Sequence, residues 1–235
     1  MDLSRSEMLL GKEGIAKLKD CRVAVFGIGG VGSFAVEALA RTGIGHIDLF
    51  DPDVISPSNI NRQLIALSDN IGKNKVTVAR ERIHKINPEC IVSEHKVFYG
   101  PENSSEYRLS NYDYIVDAID TVTSKLELIS KAKAVMVPII SCMGTGNKLN
   151  PEMLEVANIT KTSVCPLSRV MRKELKNLGI NNLKVVYSKE EPIKVDFIKD
   201  EKSGKVIPGS VSFVPSVAGL LLAAEVVKDL SKIRS

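Results

Sequence analysis

The segment Gly27-Ile-Gly-Gly-Val-Gly32 carries the first chemistry that can be read from this sequence. A short β-branched run, Arg22-Val-Ala-Val-Phe26, leads into it, and a helix-forming run from Ser33 follows at once. Gly27 permits a tight turn, Gly29 and Gly30 let backbone approach a phosphate, and Gly32 lets a helix pack close to the strand. The N-terminus of that helix then directs its free N–H groups at an anion. Many nucleotide enzymes share this G-x-G-x-x-G spacing, and a Gly-rich turn without a ligand is the competing reading.

Residues downstream choose the nucleotide. The run His46-Ile-Asp-Leu-Phe50 ends in Asp51, where a second-strand carboxylate grips ribose hydroxyls. Alone, this would suit an NAD-dependent oxidoreductase, or a nucleotide-sensing domain without catalysis. Asp53, then Ser58-Asn59-Ile-Asn61-Arg62-Gln63, then Lys75 follow. A dinucleotide has no use for this Arg and Lys, whereas a triphosphate does. Arg62 can fork onto phosphate oxygens, and Lys75 can supply a point charge at the first turn of a helix. The run Tyr114-Ile-Val-Asp117-Ala-Ile-Asp120 ends in a carboxylate able to hold magnesium. Arg62, Lys75 and Asp120 are the candidate catalytic residues, with Asp120 the candidate metal ligand.

These residues need a scaffold that delivers strand ends to one place. Strands are predicted at Arg22–Phe26, His46–Phe50, Ile91–Lys96, Tyr114–Asp117 and Val135–Ser141. Helices are predicted at Val31–Thr42, Lys73–Asn87, Ser104–Ser110 and Thr121–Lys133. Such alternation predicts an α/β fold, a doubly wound, mainly parallel Rossmann-like sheet. After Asn150-Pro151 the pattern changes to strands Leu154–Asn158 and Leu183–Tyr187, a helix Pro166–Leu178, a charged loop or hairpin Glu190–Pro208 and an apolar helix Ser216–Lys232. Residues 1–150 thus read as the nucleotide-binding half. Residues 151–235 read as a smaller α+β C-terminal lobe completing the same domain.

Composition narrows the class. The chain has 235 residues, 44% of them hydrophobic, and a net charge of +4, which permits a nucleic-acid partner without demanding one. No apolar run is long enough to span a bilayer, and the N-terminus lacks a signal-peptide pattern. The four cysteines, at 21, 90, 142 and 165, form no C-x-x-C pair, so free thiols and a cytoplasmic setting are expected. Cys165-Pro166 opens a helix whose dipole favours a thiolate. An acyl or persulfide carrier and a small helix-start residue are the two readings of Cys165, and the second is preferred. In that helix Arg169, Arg172, Lys173 and Lys176 share one face, and Leu167, Val170, Met171, Leu175 and Leu178 take the other. The basic face is a candidate nucleic-acid-binding surface.

In their order, Gly27-Ile-Gly-Gly-Val-Gly32, Asp51-x-Asp53, Ser58-Asn-Ile-Asn-Arg-Gln63, Lys75 and Ala118-Ile-Asp120 resemble the ubiquitin-activating-enzyme superfamily in its bacterial form. That group includes the molybdopterin-synthase and thiamine-biosynthesis adenylyltransferases. The resemblance implies that Asp51 binds ribose, that Asn59, Arg62, Gln63 and Lys75 surround the triphosphate of ATP, and that Asp120 helps bind magnesium. It also implies activation of a carboxylate as an acyl-adenylate with release of pyrophosphate. The wording Ala38-Leu-Ala-Arg-Thr-Gly-Ile-Gly45, Asp69-Asn-Ile-Gly72, Ile86-Asn-Pro-Glu-Cys90 and Ile159-Thr-Lys-Thr-Ser163 is similar to the tRNA threonylcarbamoyladenosine dehydratase branch. For that branch the expected reaction is ATP-dependent ring closure of threonylcarbamoyladenosine beside the anticodon, with loss of AMP and a net loss of water. The resemblance further implies a homodimer in which Arg5 reaches the neighbour's ATP, and it leaves room for sulfur-relay partner proteins. Without C-x-x-C pairs, no structural zinc is expected. The alternative within the superfamily is an adenylyltransferase for the C-terminal carboxylate of a ubiquitin-like sulfur carrier.

Overall fold

Val23, Ala24, Val25 and Phe26 are fully buried, and the strand they form, β1 (Arg22–Phe26), runs through the middle of a seven-stranded sheet. The computed structural model describes residues 1–195, 198–199 and 206–232. Helix α1 (Ser4–Asp20) precedes β1. Then come α2 (Gly32–Arg41), β2 (His46–Phe50), α3 (Lys75–Ile86) and β3 (Ile91–His95), followed by β4 (Tyr114–Asp117), α4 (Val122–Ala134) and β5 (Ile139–Cys142). The chain continues through β6 (Leu154–Asn158), α5 (Pro166–Asn177) and β7 (Lys184–Ser188). A short antiparallel ladder of β8 (Ile198–Lys199) and β9 (Val206–Ile207) precedes α6 (Phe213–Ser231).

The sheet order is β3-β2-β1-β4-β5-β7-β6, and every neighbouring pair is parallel except β6 with β7. The chain winds outward from β1 to β3 and then returns to place β4 on the other side of β1. The crevice beyond the carboxyl ends of β1 and β4 is therefore a switch point, where open α/β sheets bind ligands. β6 and β7 extend this same sheet, so the residues on either side of position 150 share one sheet.

Alternation along β1 feeds two cores. Val23 and Val25 face the layer of α1, α2, α3 and α6, while Ala24 and Phe26 face that of α4 and α5. Helix α6 offers a stripe spaced by four residues, Val214, Ala218, Leu222, Val226 and Leu230, all buried. Burial of each large apolar side chain contributes about 1.5–3 kcal/mol.

Some expected elements differ. Helix α1 is an addition, because its sequence mixes polar and apolar residues without a clear stripe; it is kinked at Gly11. The helix expected at Ser104–Ser110 is two 3-10 turns, Ser104–Glu106 and Leu109–Asn111. Side chains there compete for the backbone: Gly100 N–H donates to Asn103 Oδ1 at 3.0 Å, and Asn103 Nδ2 donates to the Phe98 carbonyl at 2.9 Å. The strand expected from Val135 starts at Ile139, because Met136 takes a left-handed conformation and Pro138 lies just ahead. The last helix starts before Ser216, since Pro215 is tolerated in a first turn. Part of the expected loop or hairpin Glu190–Pro208 lies outside the described residues.

Candidate active site

Gly27 sits at φ +88°, and a Cβ there would meet the Ala118 carbonyl oxygen at 2.6 Å. A Cβ on Gly32 would meet the Gly27 oxygen at 1.7 Å. Both approaches exclude any larger residue, so the loop folds tightly against the end of β4. Gly27 N–H donates to the Phe50 carbonyl at 2.7 Å, tying the loop to β2. Gly29 and Gly30 border a cleft of about 840 Å³ at the switch point. Of the residues assigned to the nucleotide from sequence, all except Gly32 and Arg5 line this cleft. Gly32 acts through helix packing. Arg5 is exposed in the first turn of α1 and does not line its own chain's cleft.

At the end of β2, Asp51 is buried, and each of its oxygens accepts one backbone hydrogen bond. Its Oδ2 accepts from Ile28 N–H at 2.7 Å and its Oδ1 from Asp53 N–H at 2.9 Å. Lys75, the first residue of α3, places Nζ 3.6 Å from Asp51 Oδ1 and 2.7 Å from Asp53 Oδ2. Burial raises the Asp51 carboxyl above its ordinary range, opposed by Lys75 and the two backbone donors. The acid thus anchors the glycine loop while keeping lone pairs for hydroxyl donors.

The segment between β2 and α3 supplies the other wall. Asn59 Oδ1 accepts from Ser56 N–H at 3.1 Å, closing the 3-10 turn Pro57–Asn59. Arg62 is half-buried, and its Nη1 donates to the Ser58 carbonyl at 2.8 Å and to Asn61 Oδ1 at 2.9 Å. Those bonds fix one edge of the guanidinium fork. Gln63 is buried and its Oε1 has no partner among the described residues. Across the cleft, Asp120 is exposed and accepts from the Thr121 hydroxyl at 3.2 Å.

Three features escaped sequence reasoning. The first is the pair Asp117–Lys125, whose bonds set the loop leading to Asp120. The second is Lys148, only 3% exposed, with an Nζ that has no hydrogen-bond partner among the described residues. The third is Glu190, whose carboxylate accepts from Leu149 N–H, Asn150 N–H and Asn150 Nδ2 at 2.9 Å each, holding the chain next to Lys148. The run Gly144-Thr-Gly-Asn-Lys148 after an apolar strand was the available signal for Lys148. Cys165 is the N-cap of α5, is 2% exposed and borders the same cleft.

On α5, Arg169, Lys173 and Lys176 are exposed as expected from their spacing. Arg172 departs from that face: its Nη1 donates to the Thr162 carbonyl at 2.7 Å and to the Thr162 hydroxyl oxygen at 2.6 Å. Val170 and Leu178, expected to face the protein, are exposed, because the buried stripe of α5 is narrower: Ser168, Met171 and Leu175.

The sequence matches the ThiF family over residues 3–235. It is 43% identical over 239 residues to the tRNA threonylcarbamoyladenosine dehydratase of Bacillus subtilis, covering 97% of this chain and 94% of that one. Two solved structures of the E. coli tRNA N6-threonylcarbamoyladenosine dehydratase, TcdA, also match. The complex with AMP has a TM-score of 0.88 at 34% identity, covering 97% of this chain and 93% of that one. The complex with ATP has a TM-score of 0.88 at 34% identity, covering 98% and 93%.

Proposed function

The chain belongs to the ThiF family, and from that premise we propose that it is an ATP-dependent tRNA threonylcarbamoyladenosine dehydratase. The observation that carries this reading is the convergence of Gly29, Gly30, Arg62, Gln63 and Lys75 on one cleft, in a chain 43% identical to a dehydratase over nearly its whole length. The carboxylate of threonylcarbamoyladenosine attacks the α-phosphate of ATP and pyrophosphate leaves. The neighbouring ureido group then closes a ring on the activated carbonyl, and AMP leaves.

Each role follows from placement. Backbone N–H groups at the glycine loop and the start of α2 face the phosphates. Arg62 and Lys75 neutralise charge there, Asp51 receives ribose hydroxyls, and Gln63 Oε1 offers a free acceptor. Magnesium fits the donor set: Asp120 is an exposed carboxylate on the β4 side of the cleft, and the described residues hold no group of three metal-binding side chains. Asp120 would hold such an ion, and the ion would supply charge neutralisation on the phosphates.

Arg169, Lys173 and Lys176 are the candidates for tRNA phosphates, and Arg172 supports the start of α5 instead. A homodimer would cover the apolar residues exposed on α1, Met8 and Leu9, and could bring Arg5 to a neighbouring cleft. No helix of the described residues is long and apolar enough to cross a membrane, and the four cysteines are unpaired. A tRNA substrate and unpaired thiols support a cytoplasmic setting.

Incubation with ATP, magnesium and tRNA bearing threonylcarbamoyladenosine should give a nucleoside lighter by one water and one AMP per event. AMP formed on a carrier peptide but not on this tRNA would overturn the reading.

A further inference from the structure

Ring closure has a requirement that the triphosphate machinery does not meet. Whichever ureido atom bonds to the activated carbonyl, one ureido N–H must lose its proton. Asp51 is held by backbone donors and Asp53 by Lys75, while Arg62 and Lys75 are cations. On the β5 side of the cleft lie two buried groups that none of these steps uses. Cys165 caps α5 and Lys148 comes from the segment after β5; both border the cleft and both are almost wholly buried. A Cβ on Gly144 would lie 3.5 Å from the Cys165 sulfur, so only hydrogen separates that backbone from it. Glu190, bonded to Leu149 and Asn150, forms no ion pair with Lys148, which leaves the ammonium without a carboxylate among the described residues.

We propose that Cys165, as its thiolate, is the general base that removes the ureido proton during ring closure, and that Lys148 is a positioning residue whose buried ammonium balances the sulfur's charge. This rests on the dehydratase reading above. In the step, the ureido N–H bond breaks and its proton passes to sulfur, giving the neutral thiol. The electron pair released forms the new ring bond to the acyl carbon, directly where nitrogen attacks, or through a new C=N bond that pushes the carbonyl pair onto the attacking oxygen. The acyl C–O bond to AMP breaks, and AMP leaves with that pair on its phosphate. The thiol then returns its proton to solvent.

The surroundings fit a base rather than an inert core thiol. Burial pushes the Cys165 thiol up, but the Ser168 hydroxyl and N–H, the Lys148 ammonium and the Gly144 N–H together outweigh it and leave it below the ordinary range. Cys142 on β5, facing the same space, is pushed up to about 12 by burial and stays a thiol. Burial lowers the Lys148 ammonium, against the opposing pull of Cys165, Glu190 and Cys142. Asp117 and Lys125, beneath Cys142, pair with each other. A base must be able to take up a proton, and Cys165 is the thiol on the β5 wall whose surroundings favour the thiolate.

Two measurements on one set of variants test this. The first is tRNA-dependent exchange of labelled pyrophosphate into ATP, which reports adenylation. The second is single-turnover formation of the dehydrated nucleoside, followed against pH. Cys165→Ala should retain exchange and lose ring closure by about 100-fold. Lys148→Met should move the pH of half-maximal ring closure upward, and Lys148→Arg should restore it. If Cys165→Ala does not fold, Cys165→Ser, which keeps the buried volume, carries the same comparison. Ring closure at the wild-type rate in the folded variant would overturn the base, as would an acid-stable acyl adduct on Cys165. Absence of exchange in the wild-type protein would instead overturn the dehydratase reading, and this proposal with it.

Discussion

Lys125 and Asp117 form an ion pair at 2.9 Å with neither side chain exposed. Lys125 Nζ also donates to the Ile119 carbonyl at 3.0 Å, and Asp117 accepts from Ile119 N–H at 3.1 Å and from the Ser141 hydroxyl at 2.6 Å. One buried pair thus joins β4, α4 and β5 and sets the turn that presents Asp120. Removing one partner leaves an uncompensated buried charge. Lys125→Met should therefore lower unfolding stability by about 3–5 kcal/mol, read by urea titration. A drop under about 1 kcal/mol would show that the pair is not sealed from water.

The charged residues at the cleft should separate by burial. Arg62→Ala and Asp120→Ala alter groups with exposed surface, so turnover should fall about 100-fold with the melting temperature unchanged. Lys75→Ala should cost turnover similarly and also lower the melting temperature, because it leaves Asp51 and Asp53 together without their cation. Unchanged turnover in all three would remove the triphosphate from this cleft.

Gly27→Ala should abolish ATP binding. The added methyl would meet the Ala118 carbonyl at 2.6 Å in a left-handed backbone conformation, and the loop must shift to admit it. The destabilisation should exceed about 1 kcal/mol. Calorimetric titration with ATP that matches the wild type would contradict the glycine loop's role.

Asp48 should dominate part of the acid response. It is buried, with Arg22 donating at 3.1 and 2.7 Å and the Tyr112 hydroxyl at 2.9 Å. Burial raises its carboxyl, but His95, Arg22 and Tyr112 outweigh that and leave it below the ordinary value. A lowered folded pKa contributes stability above the unfolded value of about 3.9, lost as pH falls through the folded one. Asp48→Asn should be less stable at neutral pH and lose less than the wild type on acidification below about pH 4. Parallel stability curves would assign the acid response elsewhere.

On α5, Arg169→Glu with Lys173→Glu should weaken tRNA binding and flatten the log–log salt dependence by about 0.7–0.9 for each phosphate that the helix no longer neutralises. ATP affinity should persist. Arg172→Ala should act on stability instead, since its guanidinium is bonded to Thr162. An unchanged salt slope in the double variant would clear this helix of the role.

The features legible in the sequence are local. The glycine loop, Asp51 at a strand end and Lys75 at a helix start are legible because turn geometry, strand periodicity and helix termini depend on residues a few positions apart. Strands β1, β2, β4 and β6 fall where their apolar runs lie for the same reason. Which charges are buried, and against what, depends on contacts between distant parts of the chain. Lys125 looks like any helix-surface lysine until Asp117 on β4 meets it. Lys148 reads as a loop residue until Cys165 arrives from beyond β6. Arg172 has the spacing of a surface cation, yet it turns back to Thr162. Helix α1, weakly patterned, is held by packing against α6. Desolvation depends on everything that surrounds a group in space, and most of those neighbours are distant in the chain.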